Sequence, residues 1–184
     1  MSTIYLTAMT LDGFIADPND SLDWLFAVPG EEEARDVLGP FMAGVGALAM
    51  GSTTYRWILE HEHLLDSPEA WPYPEIPTWV FSSREQPPVP GADIRMVRGD
   101  VGAVHAEMQQ AAGERDVWIV GGGDLVGQFI DRGLLDEIRA SVAPATLGAG
   151  RPVLPRRLLP DRLHLVAAER VGQFADLRYR VSYP

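Results

Sequence analysis

Short apolar runs alternate along this chain with stretches whose apolar residues recur at helical spacing. "STIYLTAM" (Ser2–Met9) reads as a first strand, and the turn-rich "TLDGFIADPNDSLDWL" follows it. "GEEEARDVLGPFMAGV" opens with acidic residues suited to a helix N-terminus, and Gly39-Pro40 is expected to interrupt that helix. "GALAMG" (Gly46–Gly51) is a small-residue strand with the helix "STTYRWILE" behind it. After the proline-rich loop "PEAWPYPEIP", "TWVFSS" (Thr78–Ser83) and "IRMV" read as strands separated by the loop "REQPPVPGAD". "VGAVHAEMQQAAG" is a helix ending in glycine, "DVWIV" a buried strand, and "DLVGQFID" a helix with Val126, Phe129 and Ile130 on one face. The last quarter holds only strands, "LLDEIRASVAP", "LHLVAAERV" and "FADLRYRVSY", the final two separated by Gly172-Gln173. Strands alternating with helices, then an antiparallel tail, predict an α/β fold whose mostly parallel central sheet carries a C-terminal antiparallel hairpin.

Composition narrows the function. The 184 residues suit one domain, residues 1–184, with 46% hydrophobic and 22% charged positions. No apolar run approaches the roughly 20 residues of a membrane span, and "MSTIYLTAM" lacks the form of a signal peptide. The chain has no cysteine, so disulfides and thiolate metal sites are excluded and a cytoplasmic location is expected. A net charge of −11 argues against nucleic-acid binding, which needs a basic surface. An anionic small molecule is still admissible where helix N-termini or a few arginines reverse the field locally.

Three junctions share one form, a strand followed by glycine or small polar residues: "ALAMGSTTY", "WVFSSRE" and "WIVGGGDL". At the carboxyl end of a parallel strand, the next helix turns its unpaired N–H groups toward the crevice where ligands bind. Phosphate is held there by backbone donors and the helix dipole together, and glycine admits it without a Cβ in the way. Ser52, Thr53 and Thr54 add hydroxyls, while Ser82, Ser83 and Arg84 suit a second phosphate. Separated phosphates fit a dinucleotide. Taken singly, a glycine triplet is also a tight turn, and "GSTT" is also a helix cap. Gly121, Gly123 and Gly127 miss the G-x-G-x-x-G spacing, and no G-x-x-x-x-G-K-[ST] is present.

"YLTAMTLDGFIA", "MGSTTY", "VFSSRE", "WIVGGGDL" and "ASVAPATLGAGRPVLP", in this order, resemble the dihydrofolate reductase-like superfamily. Within it, the chain most resembles the reductase (RibD C-terminal) domain of the bifunctional riboflavin-biosynthesis deaminase/reductase, in a stand-alone form. The zinc signature of the deaminase half is absent. The resemblance implies a three-layer fold with helices on both faces of the sheet, an NADPH site and a homodimer. It places Thr7 and Ala8 at the nicotinamide carboxamide, with Ile15 and Ala16 nearby. Gly51, Ser52, Thr53 and Thr54 then surround the cofactor phosphates, and Ser82, Ser83 and Arg84 take the adenosine 2′-phosphate. Gly121, Gly122 and Gly123, with Asp124 and Leu125, receive the pyrophosphate. Ser52 stands where folate reductases carry a basic residue, which leaves Arg84 more of the charge recognition.

The implied activity is an NADPH-dependent reductase acting on a small heterocycle, of the 5-amino-6-(5-phosphoribosylamino)uracil reductase or dihydrofolate reductase type. The alternatives are a true dihydrofolate reductase and a dinucleotide-binding module without turnover. Asp36 is the candidate catalytic acid, or else part of the solvated acidic face of "EEEARD". Asp12 of "LDG" either binds substrate or caps a turn with Gly13. Trp24 either lines the substrate pocket or anchors the core. His61 and His63 are an i, i+2 pair that shares no helical face, so no metal site is expected.

Overall fold

The computed structural model describes residues 1–29 and 38–184. Its order is β1 (Thr3–Thr10), β2 (Phe14–Ala16), α1 (Asp23–Phe26), β3 (Val45–Gly51), α2 (Ser52–His61), β4 (Thr78–Phe81) and β5 (Ile94–Val97). Then come α3 (Val101–Ala112), β6 (Asp116–Gly121), α4 (Gly123–Asp131), β7 (Glu137–Ala143), β8 (Arg151–Pro152), β9 (Leu163–Val171) and β10 (Phe174–Val181). Eight strands form one sheet in the order β5-β4-β3-β6-β1-β7-β10-β9. From β5 to β7 all neighbours are parallel, and β10 and β9 join antiparallel at one edge.

The central strands β3 and β6 are largely buried on both faces. Tyr5, Ala47, Ala49, Val117 and Ile119 pack under α3 and α4. On the opposite face, Met50 and Val80 meet Tyr55, Ile58 and Leu59 of α2, while Val45, Leu48 and Trp118 meet Phe41 and Met42. This explains why β3 and β6 read as continuous apolar runs rather than alternating ones. α3 starts where the Asp100 carboxylate accepts the Gly102 N–H at 2.7 Å and stops at Gly113, whose φ of +64° suits glycine.

Two expectations need correction. Residues 38–43 are helical, so Gly39-Pro40 lies in helical backbone and does not interrupt it there. The turn-rich segment after β1 holds β2, which pairs with β8 in a separate two-stranded ribbon. Val153 N–H donates to Gly13 O at 2.9 Å and Tyr5 Oη to Val153 O at 3.1 Å, which hold this ribbon over the sheet's carboxyl edge. Strands of two or three residues leave no periodic signal, and the partners lie far apart in sequence.

Candidate active site

The carboxyl ends of β3, β6 and β1 open into a crevice of about 600 Å³, between the central strands on one side and the β2–β8 ribbon on the other. The first turns of α2 and α4 both line it. Gly51 is the N-cap of α2 and Gly122 that of α4, both extended, and neither helix has a side-chain cap. Two sets of first-turn N–H groups therefore lack side-chain acceptors at one crevice, each at the positive end of a helix dipole. As the dipoles add, this crevice attracts anions on a chain of net charge −11.

The three glycines of β6–α4 answer to three different constraints. Gly121 has φ +143°, a conformation that L side chains rarely adopt. A Cβ on Gly123 would stand 2.5 Å from the carbonyl oxygens of Pro152 and Val153, so this glycine serves packing under the ribbon. Gly122 is different. A Cβ there would meet only Ile15 Cδ1, at 3.8 Å, so its missing side chain leaves crevice space open. The Gly121–Gly122 peptide is cis.

Thr7, Ile15, Ala16, Gly51–Thr54 and Gly121–Leu125 are gathered into this one crevice. Ala8 lines a second one beside it. Ser82, Ser83 and Arg84 lie just beyond the end of β4 and do not line either crevice. The Ser82 hydroxyl is engaged locally, accepting from Arg84 N at 3.1 Å and donating to Arg84 O at 2.6 Å. Asp124, in the first turn of α4, is 3.3 Å from Arg156 Nη1, which offsets its charge where an anion would approach. Among the crevice residues that sequence reasoning missed are Asp20, at φ +65°, and Arg151 of β8, which form a bidentate pair at 2.5 and 3.1 Å. Neither belongs to a recognisable motif.

Asp12 is not a crevice residue. Its carboxylate accepts from Thr10 Oγ1 at 2.6 Å, from Leu147 N at 3.0 Å and from Gly148 N at 2.7 Å, tying the β1–β2 turn to the β7–β8 loop. The Thr10 hydrogen bond, with those backbone donors, holds its pKa below the usual carboxylate value. Trp24 packs with Val28, Ala143 and Phe174 and does not line either crevice. Asp36 lies outside the described residues. His61 stacks on Trp57 at 4.4 Å and on Phe26 at 5.3 Å.

The second crevice, about 700 Å³, shares Thr7, Tyr73 and Val120 with the first. Leu6, Phe26, Phe41 and Trp118 give it apolar walls, and Phe41 meets Trp118 edge-on at 5.4 Å. Its floor is polar: Arg139 and Ser141 from β7, Asp176 and Arg178 from β10, Glu169 from β9. Glu137 accepts from Arg139 and forms an ion pair with Arg178 at 2.8 Å. At the boundary, burial and then the nearby Glu62 push Tyr73 up to about 12, so its phenol keeps its proton at neutral pH. An anion-attracting crevice thus meets a half-apolar one along a shared border.

The model of the RibD C-terminal domain matches residues 2–175. This chain belongs to the RibD C-terminal domain family. It is 28% identical to YwjB, an uncharacterized protein of Bacillus subtilis strain 168, over 96% of each chain. A protein from Shewanella sp. PV-4 described as a riboflavin biosynthesis protein superposes with a TM-score of 0.80 at 28% identity, covering 100% of both chains. Dihydrofolate reductase from Enterococcus faecalis, complexed with NADP(H), superposes with a TM-score of 0.63 at 14% identity, covering 99% of this chain and 97% of that one. The fold is therefore dihydrofolate reductase-like, an α/β architecture with helices on both faces of a mostly parallel sheet, and the family supports a reductase-like role. Among the described residues, no helix is long and apolar enough to cross a membrane.

Proposed function

We propose that the protein is an NADPH-dependent reductase that transfers a hydride to a C=N or C=O bond of a small heterocycle, pterin-like or ribosylaminopyrimidine-like. The observation that carries this reading is the convergence of two helix N-termini, neither with a side-chain cap, on a crevice that borders a second, half-apolar one. The fit to a dinucleotide rests on that donor set and on the cradle at Gly122, which a side chain would fill. Residues 51–54 and 121–125 would hold the phosphates through first-turn N–H groups and the hydroxyls of Ser52, Thr53 and Thr54. Arg84, exposed beyond β4, would add charge at a 2′-phosphate, and Thr7, Ala8, Ile15 and Ala16 would border the nicotinamide. When bound, NADPH supplies the hydride. The chain's part is to place the two reactants across the border at Thr7, Tyr73 and Val120 and to exclude water there. The proton for the receiving atom would come from Asp36 or from water.

The test is a calorimetric NADPH titration, followed by NADPH oxidation with a panel of pterins and ribosylaminopyrimidines. Saturable binding with turnover on one of these classes is the expected result. Binding without turnover on any of them favours a dinucleotide-binding module, and no binding refutes the reading. A homodimer is part of the same proposal. β9 is an edge strand with Leu165 and Val166 exposed, and such an edge is commonly paired or protected. A monomer mass at micromolar concentration in light scattering would remove that part alone.

A further inference from the structure

We propose that Arg151 is the side chain that binds the diphosphate of a dinucleotide in the first crevice, and that Asp20 positions it for that contact. Among the described residues, Arg151 is the one basic side chain lining this crevice, which also holds two acids, Asp20 and Asp124. Helix N-termini alone would have to attract an anion past those acids. Arg151 supplies the full positive charge that the lining otherwise lacks.

The fold fixes Arg151 from its backbone outward. It pairs with Ala16 in the β2–β8 ribbon, and its neighbour Gly150 lies so close to Ala16 O that no Cβ fits between them. On its other side, the carbonyl oxygens of Pro152 and Val153 crowd Gly123, where a Cβ would stand 2.5 Å from each. Arg151 is therefore one residue away from direct packing on the first turn of α4, which lines the same crevice.

Asp20 sets the guanidinium. Its carboxylate accepts from Arg151 Nε at 2.5 Å and from Nη2 at 3.1 Å. The turn that presents it is tied by Asp17, whose carboxylate accepts from Asn19 N at 2.7 Å and Ser21 N at 2.9 Å, and Asp20 itself takes φ +65°. A guanidinium carries five N–H donors in a rigid fork, and this pair uses one edge of it. Nη1 has no partner among the described residues, so Nη1 with the outer hydrogen of Nη2 leaves a second bidentate edge. One arginine can thus hold the carboxylate and a phosphate together. The pair is exposed and adds little to stability, so both residues can be replaced in a folded chain. This deepens the reductase reading, on whose dinucleotide it rests, by naming the charged contact to the diphosphate.

The probes are NADPH, NADH and ADP-ribose, which keeps the diphosphate bridge and lacks the nicotinamide. Each is titrated by calorimetry into the full chain. Arg151→Gln is expected to weaken all three by about 10-fold or more, the scale of a hydrogen bond between charged groups. The ratio of NADPH to NADH affinity should stay put, because the 2′-phosphate is not the group held. The double variant Asp20→Asn with Arg151→Gln restores the charge balance of the unmodified crevice. It should remain as weak as Arg151→Gln, since the phosphate contact is still missing. Recovery in the double variant would mean that Arg151 only offsets Asp20, and it overturns the proposal. Undiminished binding by Arg151→Gln overturns it too. Asp20→Asn alone removes a charge that repels phosphate, so by charge alone it would tighten binding. A positioning role predicts weaker binding instead, and a gain overturns that role. Arg151-dependent binding of ADP-ribose by a protein that oxidises NADPH with none of the heterocycles would sink the reductase reading and leave this one standing. Failure to bind any of the three probes overturns both.

Discussion

Gly122 and Ile15 face each other across the first crevice: the Cβ that Gly122 lacks would stand in ordinary van der Waals contact with Ile15 Cδ1, at 3.8 Å. Gly122 is extended, a conformation open to any residue, so neither backbone nor packing demands glycine there. Gly122→Val is therefore expected to fold with a near-normal circular dichroism spectrum and to bind NADPH at least about tenfold more weakly. Gly123→Ala should do the reverse. Its Cβ would press on two backbone carbonyls at 2.5 Å, at a cost of about 1–3 kcal/mol of stability. Denaturant titration of both variants beside NADPH calorimetry checks the pair, and two equal losses of binding without loss of stability would contradict it.

Arg84 sits beyond β4 outside the crevice lining, so its part is expected to be confined to the adenosine end. Arg84→Ala should lower the preference for NADPH over NADH by roughly 10-fold or more, since a hydrogen bond between charged groups is worth about 1.5–3 kcal/mol. Affinity for NADH should hardly move. Parallel titrations with the two cofactors decide this, and an unchanged ratio would withdraw Arg84 from the site.

The two candidate carboxylates are expected to separate in their effects. Asp12 is occupied by Thr10, Leu147 and Gly148, so Asp12→Asn should lower the melting temperature and leave NADPH affinity intact. Asp36→Asn should lower kcat by roughly 10²-fold or more on an identified substrate, the scale of general acid catalysis, with cofactor binding little changed. Single-turnover rates with the two variants side by side check the division. If Asp12→Asn alone abolishes turnover, the roles are exchanged.

His105 gives the fold a dependence on pH. Its ring is buried and shares a 2.8 Å hydrogen bond with Thr3 Oγ1. Burial disfavours the charged ring and lowers its pKa below the usual 6.5, while nearby Asp136 acts weakly the other way. The unfolded chain thus binds a proton that the folded chain refuses. Stability from this site is complete above about pH 6.5 and falls as the pH drops toward the folded value. Melting temperatures between about pH 7.5 and 5.5 should decline, and His105→Gln should flatten that decline. A variant with the same slope as the unmodified protein would assign the pH dependence to other groups.

The order and type of the regular elements were legible in the sequence because their signals are local. β3 and β6 end in glycine where a helix begins, and the strands from Leu163 to Val181 alternate about Gly172. The same holds for the gathering of these residues into the first crevice, since most of them sit at strand–helix junctions whose position in a parallel sheet follows from chain order. The rest was decided by pairings between distant segments. Nothing near Phe14 announces β8, and nothing near Asp12 announces Leu147, so the ribbon and the turn cap had no sequence signature. Gly123 and Gly122 are indistinguishable as letters, yet a Cβ on one would clash with the carbonyls of Pro152 and Val153 and a Cβ on the other would only touch Ile15. The floor of the second crevice depends most of all on tertiary structure. Ser141, Asp176 and Glu169 become neighbours only when β10 enters the sheet between β7 and β9. Periodicity tells a strand which residues share a face; only the sheet order tells that face whom it will meet.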